Sequence, residues 1–89
     1  MVRQYIRHRV RDYDAWRPIY DGYAERRRTG GVLAASVSRG IDDPNDITVW
    51  HDYADVETAK AYASAPVVDD AWAAGGVEGV PQVWFVRES

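Results

Sequence analysis

The chain has no cysteine, a single lysine and no long apolar run. Without cysteine there can be no disulfide, no thiolate metal site and no cysteine nucleophile. No stretch approaches the roughly 18 apolar residues that a membrane-spanning helix needs. The opening Met1-Val2-Arg3-Gln4-Tyr5 also lacks the apolar core of a signal peptide. A cytoplasmic location with no membrane partner is the resulting expectation. Positive charge is short as well, with a net charge of -3 at pH 7 and a pI of about 5.2. Nucleic-acid binding domains carry basic stripes, so no nucleic-acid partner is expected. The one basic run, Arg26-Arg27-Arg28, falls where a helix should end, where cations complement the helix dipole. Glycine-rich phosphate loops, the nucleophile elbow and His-Glu-x-x-His are all missing. Gly30-Gly31 and Gly75-Gly76 read as helix stops. No nucleotide, flavin or metal cofactor is therefore expected.

Aromatic surface is what the chain has in quantity, with 4 Trp and 6 Tyr in 89 residues. That length predicts one domain over 1–89 and a small core, so packing and association must carry the fold. Val2 to Val10 alternates: Val2, Gln4, Ile6, His8 and Val10 share one face of a first strand, and Arg3, Tyr5, Arg7 and Arg9 the other. Asp12 or Asp14 caps a helix, and Pro18, best placed in the first turn, favours Asp14. Trp16, Ile19, Tyr20, Tyr23, Ala24 and Arg27 recur at helical spacing on one face. Val32 to Arg39 reads as strand 2, and Asp46 to Tyr53 as strand 3, with Ile47, Val49, His51 and Tyr53 together. Asp55 caps a second helix to about Ala63, and Pro66 opens a short third one bearing Val68, Ala71 and Trp72. Strand 4 is read as Gln82 to Val86.

This order predicts an α+β, ferredoxin-like βαββαβ antiparallel sheet with strand order 4-1-3-2 and helices on one face. The rows with Ile6, Val10, Ile47, Val49, Val83 and Phe85 are the most apolar and are assigned to the helix side. Tyr5, Trp50, Trp84 and Val86 then share the open face with Arg7, Arg9 and Asp52. An open sheet with that much aromatic surface predicts a homodimer, with Arg7 or Arg9 pairing with Asp52 at its edge.

Several runs resemble the dimeric α+β barrel proteins related to antibiotic biosynthesis monooxygenases and small polyketide cyclases. They are His8-x-x-x-Asp12-Tyr13-Asp14-x-Trp16-x-Pro18-x-Tyr20-Asp21, Asp42-Asp43-Pro44-Asn45-Asp46, Ser64-Ala65-Pro66 and Ala74-Gly75-Gly76-Val77-x-Gly79-x-Pro81. The resemblance implies two protomers packed sheet on sheet, with a ligand cleft in each between sheet and helices. It also implies cofactor-free oxygenation of aromatic polyketides, cyclisation or, in some branches, haem breakdown.

The only histidines, His8 and His51, share the helix-facing rows of strands expected to be neighbours. Either could be the base that removes a proton beside a carbonyl or from a phenol. Each could equally be a buried histidine satisfied by a hydrogen bond. Trp16, Tyr20, Tyr23 and Trp72 are the candidates for holding a hydrophobic aromatic or polyketide-like substrate, with core packing the alternative for each. Asp21 reads as solvated, with orientation of a histidine as the sharper role. The leading expectation is a cyclase or cofactor-independent monooxygenase of secondary metabolism. The rival is a non-catalytic dimeric protein that binds a small molecule or haem.

Overall fold

The computed structural model describes residues Met1–Ser89. Its elements run β1 (Val2–Val10), α1 (Tyr13–Gly22), α2 (Ala24–Thr29), β2 (Ala34–Arg39), β3 (Asp46–Tyr53), α3 (Val56–Ala63), α4 (Pro66–Gly75) and β4 (Val77–Arg87). The strands form one antiparallel sheet in the order β2-β3-β1-β4. This is the expected ferredoxin-like arrangement, and β1 and β3 are its central neighbours.

Register follows from the alternation. Ile6 lies opposite Val49 and Val83, and Gln4 opposite His51 and Phe85. One row of each central strand is thereby buried: Val2, Gln4, Ile6, His8 and Val10 on β1, and Ile47, Val49, His51 and Tyr53 on β3. A slip of one residue would have turned both histidines to the other face.

Four local expectations are corrected. The cap of α1 is Asp12, whose carboxylate accepts from the Asp14 backbone N–H, so the helix begins earlier and Pro18 lies within it. The single long helix is broken at Tyr23 into α1 and α2, which turns Ala24 outward. Strand β2 begins at Ala34, because Val32 and Leu33 still serve the turn out of α2 and the approach to β3. Strand β4 is longer than expected, starting at Val77 and running through Gly79 and Pro81. It follows the edge of β1, with a register shift between Arg7 and Arg9. Such an edge tolerates proline, because one side of the strand needs no ladder partner.

On the open face, Arg3 holds Asp52 within the chain, with Nε and Nη2 donating to its two carboxylate oxygens at 2.7 and 3.0 Å. Arg3 and Asp52 are directly opposite in the β1–β3 ladder. Arg7 pairs with Asp46, and Arg9 with Asp43 and Glu78.

All four helices lie on one side of the sheet. Two apolar clusters fill that side. The larger is Ile6, Val10, Trp16, Ile47 and Val49; the smaller is Val2, Tyr53 and Ala59. Helix α4 approaches Trp16 closely at Gly75, where a Cβ would come within 2.8 Å of the indole. Gly76 then ends the helix at φ +72°, a left-handed conformation that glycine adopts without penalty. No helix is long and apolar enough to cross a membrane.

Candidate functional site

Between α1, α3, α4 and the centre of the sheet lies a cleft lined by His8, Trp16, Tyr20, Tyr23, His51 and Trp72. These are the six residues singled out from the sequence, and the fold brings all of them together. Gln4, Arg27, Val49, Tyr62 and Val68 are among the other walls. The cavity volume is about 60 Å³, or about 580 Å³ with the open mouth included. The interior thus takes a head group or part of one ring, and the body of a larger ligand would extend towards Trp72 and α4.

The floor comes from β1 and β3. His51 is buried, and its Nε2 lies 2.9 Å from the Tyr20 hydroxyl. Helix α1 makes this contact possible: Trp16 and Tyr20, one turn apart, face the sheet together and stack at 5.0 Å between ring centroids. Trp16 in turn packs edge-on against His8 at 5.6 Å. The two histidines therefore sit under one aromatic lid. The Nδ1 atom of each is buried and has no hydrogen-bond partner.

Burial, reinforced by the positive charge of Arg27, pushes the His51 pKa down to about 4. Burial also lowers that of His8. Both imidazoles are therefore neutral at physiological pH and can accept a proton. Tyr20 is pushed up, again chiefly by burial and against the pull of Arg27 and Arg17, so its phenol stays protonated. With both partners neutral, the Tyr20–His51 contact is an ordinary hydrogen bond, and which of the two donates is set by the imidazole tautomer.

Arg27 is the residue the sequence reading undervalued. It does lie in the last turn of its helix, as the dipole argument requires. Yet it is only 9% exposed, whereas Arg26 and Arg28 are exposed. Its Nη1 donates to the Tyr20 carbonyl at 2.7 Å, and its guanidinium carbon stands 3.7 Å from the centre of the Tyr20 ring. A carbonyl bond and a cation–π contact contribute about 1–3 kcal/mol each, against a desolvation cost of several kcal/mol for a buried ion. The signal was available, since Arg27 continues the spacing of Trp16, Tyr20 and Tyr23. Gln4 was also passed over; its amide oxygen accepts from the Tyr53 hydroxyl at 3.0 Å beneath the cleft. Asp21 pairs with Arg17 on the surface and does not orient a histidine.

No family model matches the sequence, and neither does any curated protein. Solved structures do match in fold. A candidate antibiotic biosynthesis monooxygenase from Bordetella bronchiseptica superposes with a TM-score of 0.84 at 12% identity, covering 99% of this chain and 96% of that one. One from Caulobacter crescentus CB15 gives 0.80 at 15% identity, over 99% and 89% of the two chains. A variant of SnoaB, a cofactor-independent oxygenase from Streptomyces nogalater, gives 0.78 at 13% identity, over 98% and 91%. The expected resemblance to antibiotic biosynthesis monooxygenases thus holds at the level of the fold.

Proposed function

We propose that the protein is a cofactor-independent oxygenase acting on a hydrophobic aromatic or polyketide-like phenol, with Tyr20 and His51 as its proton acceptor. The observation that carries this reading is the 2.9 Å contact between the Tyr20 hydroxyl and a neutral, buried His51 on the floor of an apolar aromatic cleft. The structural likeness to SnoaB, described as a cofactor-independent oxygenase, favours oxygenation over cyclisation.

His51 does not face a substrate unaided, because Tyr20 occupies its Nε2. The substrate phenol donates to the Tyr20 oxygen while Tyr20 donates to Nε2, and the proton moves along this path to His51. The phenolate so formed gives one electron to O₂; the resulting radical pair combines at a ring carbon as a peroxide. His51 returns the proton, and loss of water leaves a carbonyl where a C–H had been. The substrate supplies all four electrons that reduce O₂, two with each oxygen atom, so one O₂ is consumed and one water released per turnover. Proton transfer from a phenol of ordinary acidity to a base with a pKa of about 4 is uphill by about 8 kcal/mol. That cost falls once an anion occupies the cleft, because negative charge beside His51 favours the imidazolium.

The reading includes a second copy of the chain. Tyr5, Trp50, Trp84 and Val86 stand on the helix-free face, with Trp84 and Val86 43% and 40% exposed. Joining two such faces would cover this surface and brace the floor of each cleft from behind. Ligation of haem by His51 fits less well, because its Nε2 is already engaged.

Oxygen uptake with hydroxylated naphthalenes and anthracenes, in the presence of a chelator, tests the proposal. Wild-type protein should accelerate uptake, and His51→Gln should lower kcat about 100-fold or more. Undiminished turnover by a His8→Gln/His51→Gln double variant would rule out histidine as the acceptor. Ring closure of an open poly-β-ketone chain without oxygen uptake would instead make the protein a cyclase.

A further inference from the structure

Arg27 has no part in the proton path, yet it is the least compensated charge in the molecule. Arg3, Arg7, Arg9, Arg17 and Arg28 each hold a carboxylate, and the other four arginines outside the cleft, Arg11, Arg26, Arg39 and Arg87, are exposed to water. Arg27 is the one buried arginine, it lines the cleft, and it belongs to none of the ion pairs. Only Nη1 is satisfied, by the Tyr20 carbonyl. Nε and Nη2 have no protein partner and are not sealed within the protein, so a residue that lines the cleft keeps free donors. A guanidinium cannot shed its charge to relieve burial, and its planar fork matches the two oxygens of a carboxylate.

We infer that Arg27 is the anion-binding group of the cleft and that the ligand is a carboxylic acid carried on an aromatic body. The carboxylate meets the free edge of Arg27, and the ring lies along Trp16 and Tyr20 towards Trp72. A cavity volume of about 60 Å³ suits such a head group, with the ring system reaching into the wider mouth. This inference rests on the proposed reading of the cleft as the substrate site and names the class of substrate. It also gives the anion a second effect. The charge of Arg27 helps to hold His51 neutral, so a carboxylate that neutralises Arg27 makes His51 a stronger base when substrate is bound.

The test uses 2-naphthoate and its methyl ester, titrated into the full-length protein by calorimetry. The acid should bind wild-type protein about tenfold or more tightly than the ester. In Arg27→Met the preference for the acid over the ester should vanish, and Arg27→Lys should keep part of it. Saturating naphthoate should also raise the midpoint of the His51 ring protons in an NMR titration. Equal affinity of acid and ester for the wild-type protein would overturn the inference, and that comparison needs no variant to fold. In that event binding of the ester would leave the aromatic cleft standing as a ligand site, whereas failure of both compounds to bind would remove the site as well.

Discussion

His51 shows how one buried side chain couples the site to stability. Its pKa is near 4 in the fold and about 6.5 in an unfolded chain. Between these values the unfolded state takes up a proton that the folded state refuses. Stability is therefore full above about pH 6.5 and falls as the pH drops towards 4, by about 3 kcal/mol in all. His8 adds a loss of the same sign. The lowered carboxylates Asp46, Asp52 and Asp55 start from an ordinary value of 3.8 and act only below this window. Urea unfolding from pH 7 to 4.5 should show the decline in wild-type protein and a clearly shallower one in His51→Gln. An equal slope in both would mean that His51 is not held neutral by the fold. Tyr20→Phe addresses the same contact from the other side. It should cost about 1–3 kcal/mol by leaving Nε2 of His51 without its partner, measurable as a lowered urea midpoint at pH 7.

The cleft depends on how α4 sits over α1. Trp16 is buried and wedged between His8, Tyr13 and Tyr20, so it has little room to yield. Gly75→Ala would place a methyl group 2.8 Å from that indole. The expected outcome is a destabilisation of about 1–3 kcal/mol by overpacking, with Trp fluorescence shifted to the red as the indole gains water. A variant as stable as wild type, with unchanged emission, would show that α4 can lift from α1 at no cost. The cap of α1 makes a smaller contribution. Asp12→Ala should cost about 1 kcal/mol, and Asp14→Ala should cost less, because the Asp12 carboxylate does the capping. Thermal melts of the two variants distinguish them.

Over the whole molecule, the notable quantity is how little is buried: 14 of 89 residues, all but Asp52 on the helix-covered side of the sheet. The other face carries Trp84 stacked on Tyr5 at 5.4 Å and Arg3 over Trp50 at 3.7 Å, contacts that organise aromatic surface without removing it from water. A stable dimer interface commonly takes about 800 Å² from each partner, and this face is the natural source of it. Light scattering at micromolar concentration should give about twice the 10.1 kDa chain mass. Trp84→Arg should return the monomer mass, because a second cation would face its symmetry mate across the contact. A wild-type monomer would leave the sheet face without the proposed partner.

Much of this was legible in the chain. Period-two alternation in β1 and β3 placed His8, His51 and the apolar rows on one face, and helical spacing placed Trp16, Tyr20 and Tyr23 opposite them. Strand order followed from the succession of elements, because short antiparallel connections leave few arrangements. These features are local: they depend on which side of its own backbone a residue projects. What the sequence could not decide was pairwise and three-dimensional. Asp52 meets Arg3 because of the β1–β3 register, and the His51 Nε2 meets the Tyr20 hydroxyl because of the height at which α1 crosses the sheet. Arg27 looked like one of three similar basic residues at a helix end. Only the break at Tyr23 and the packing of α2 bury it beside the cleft and leave it without a carboxylate. Chemistry of this kind turns on distances of about 3 Å between residues far apart in the chain, and only the tertiary structure sets those distances.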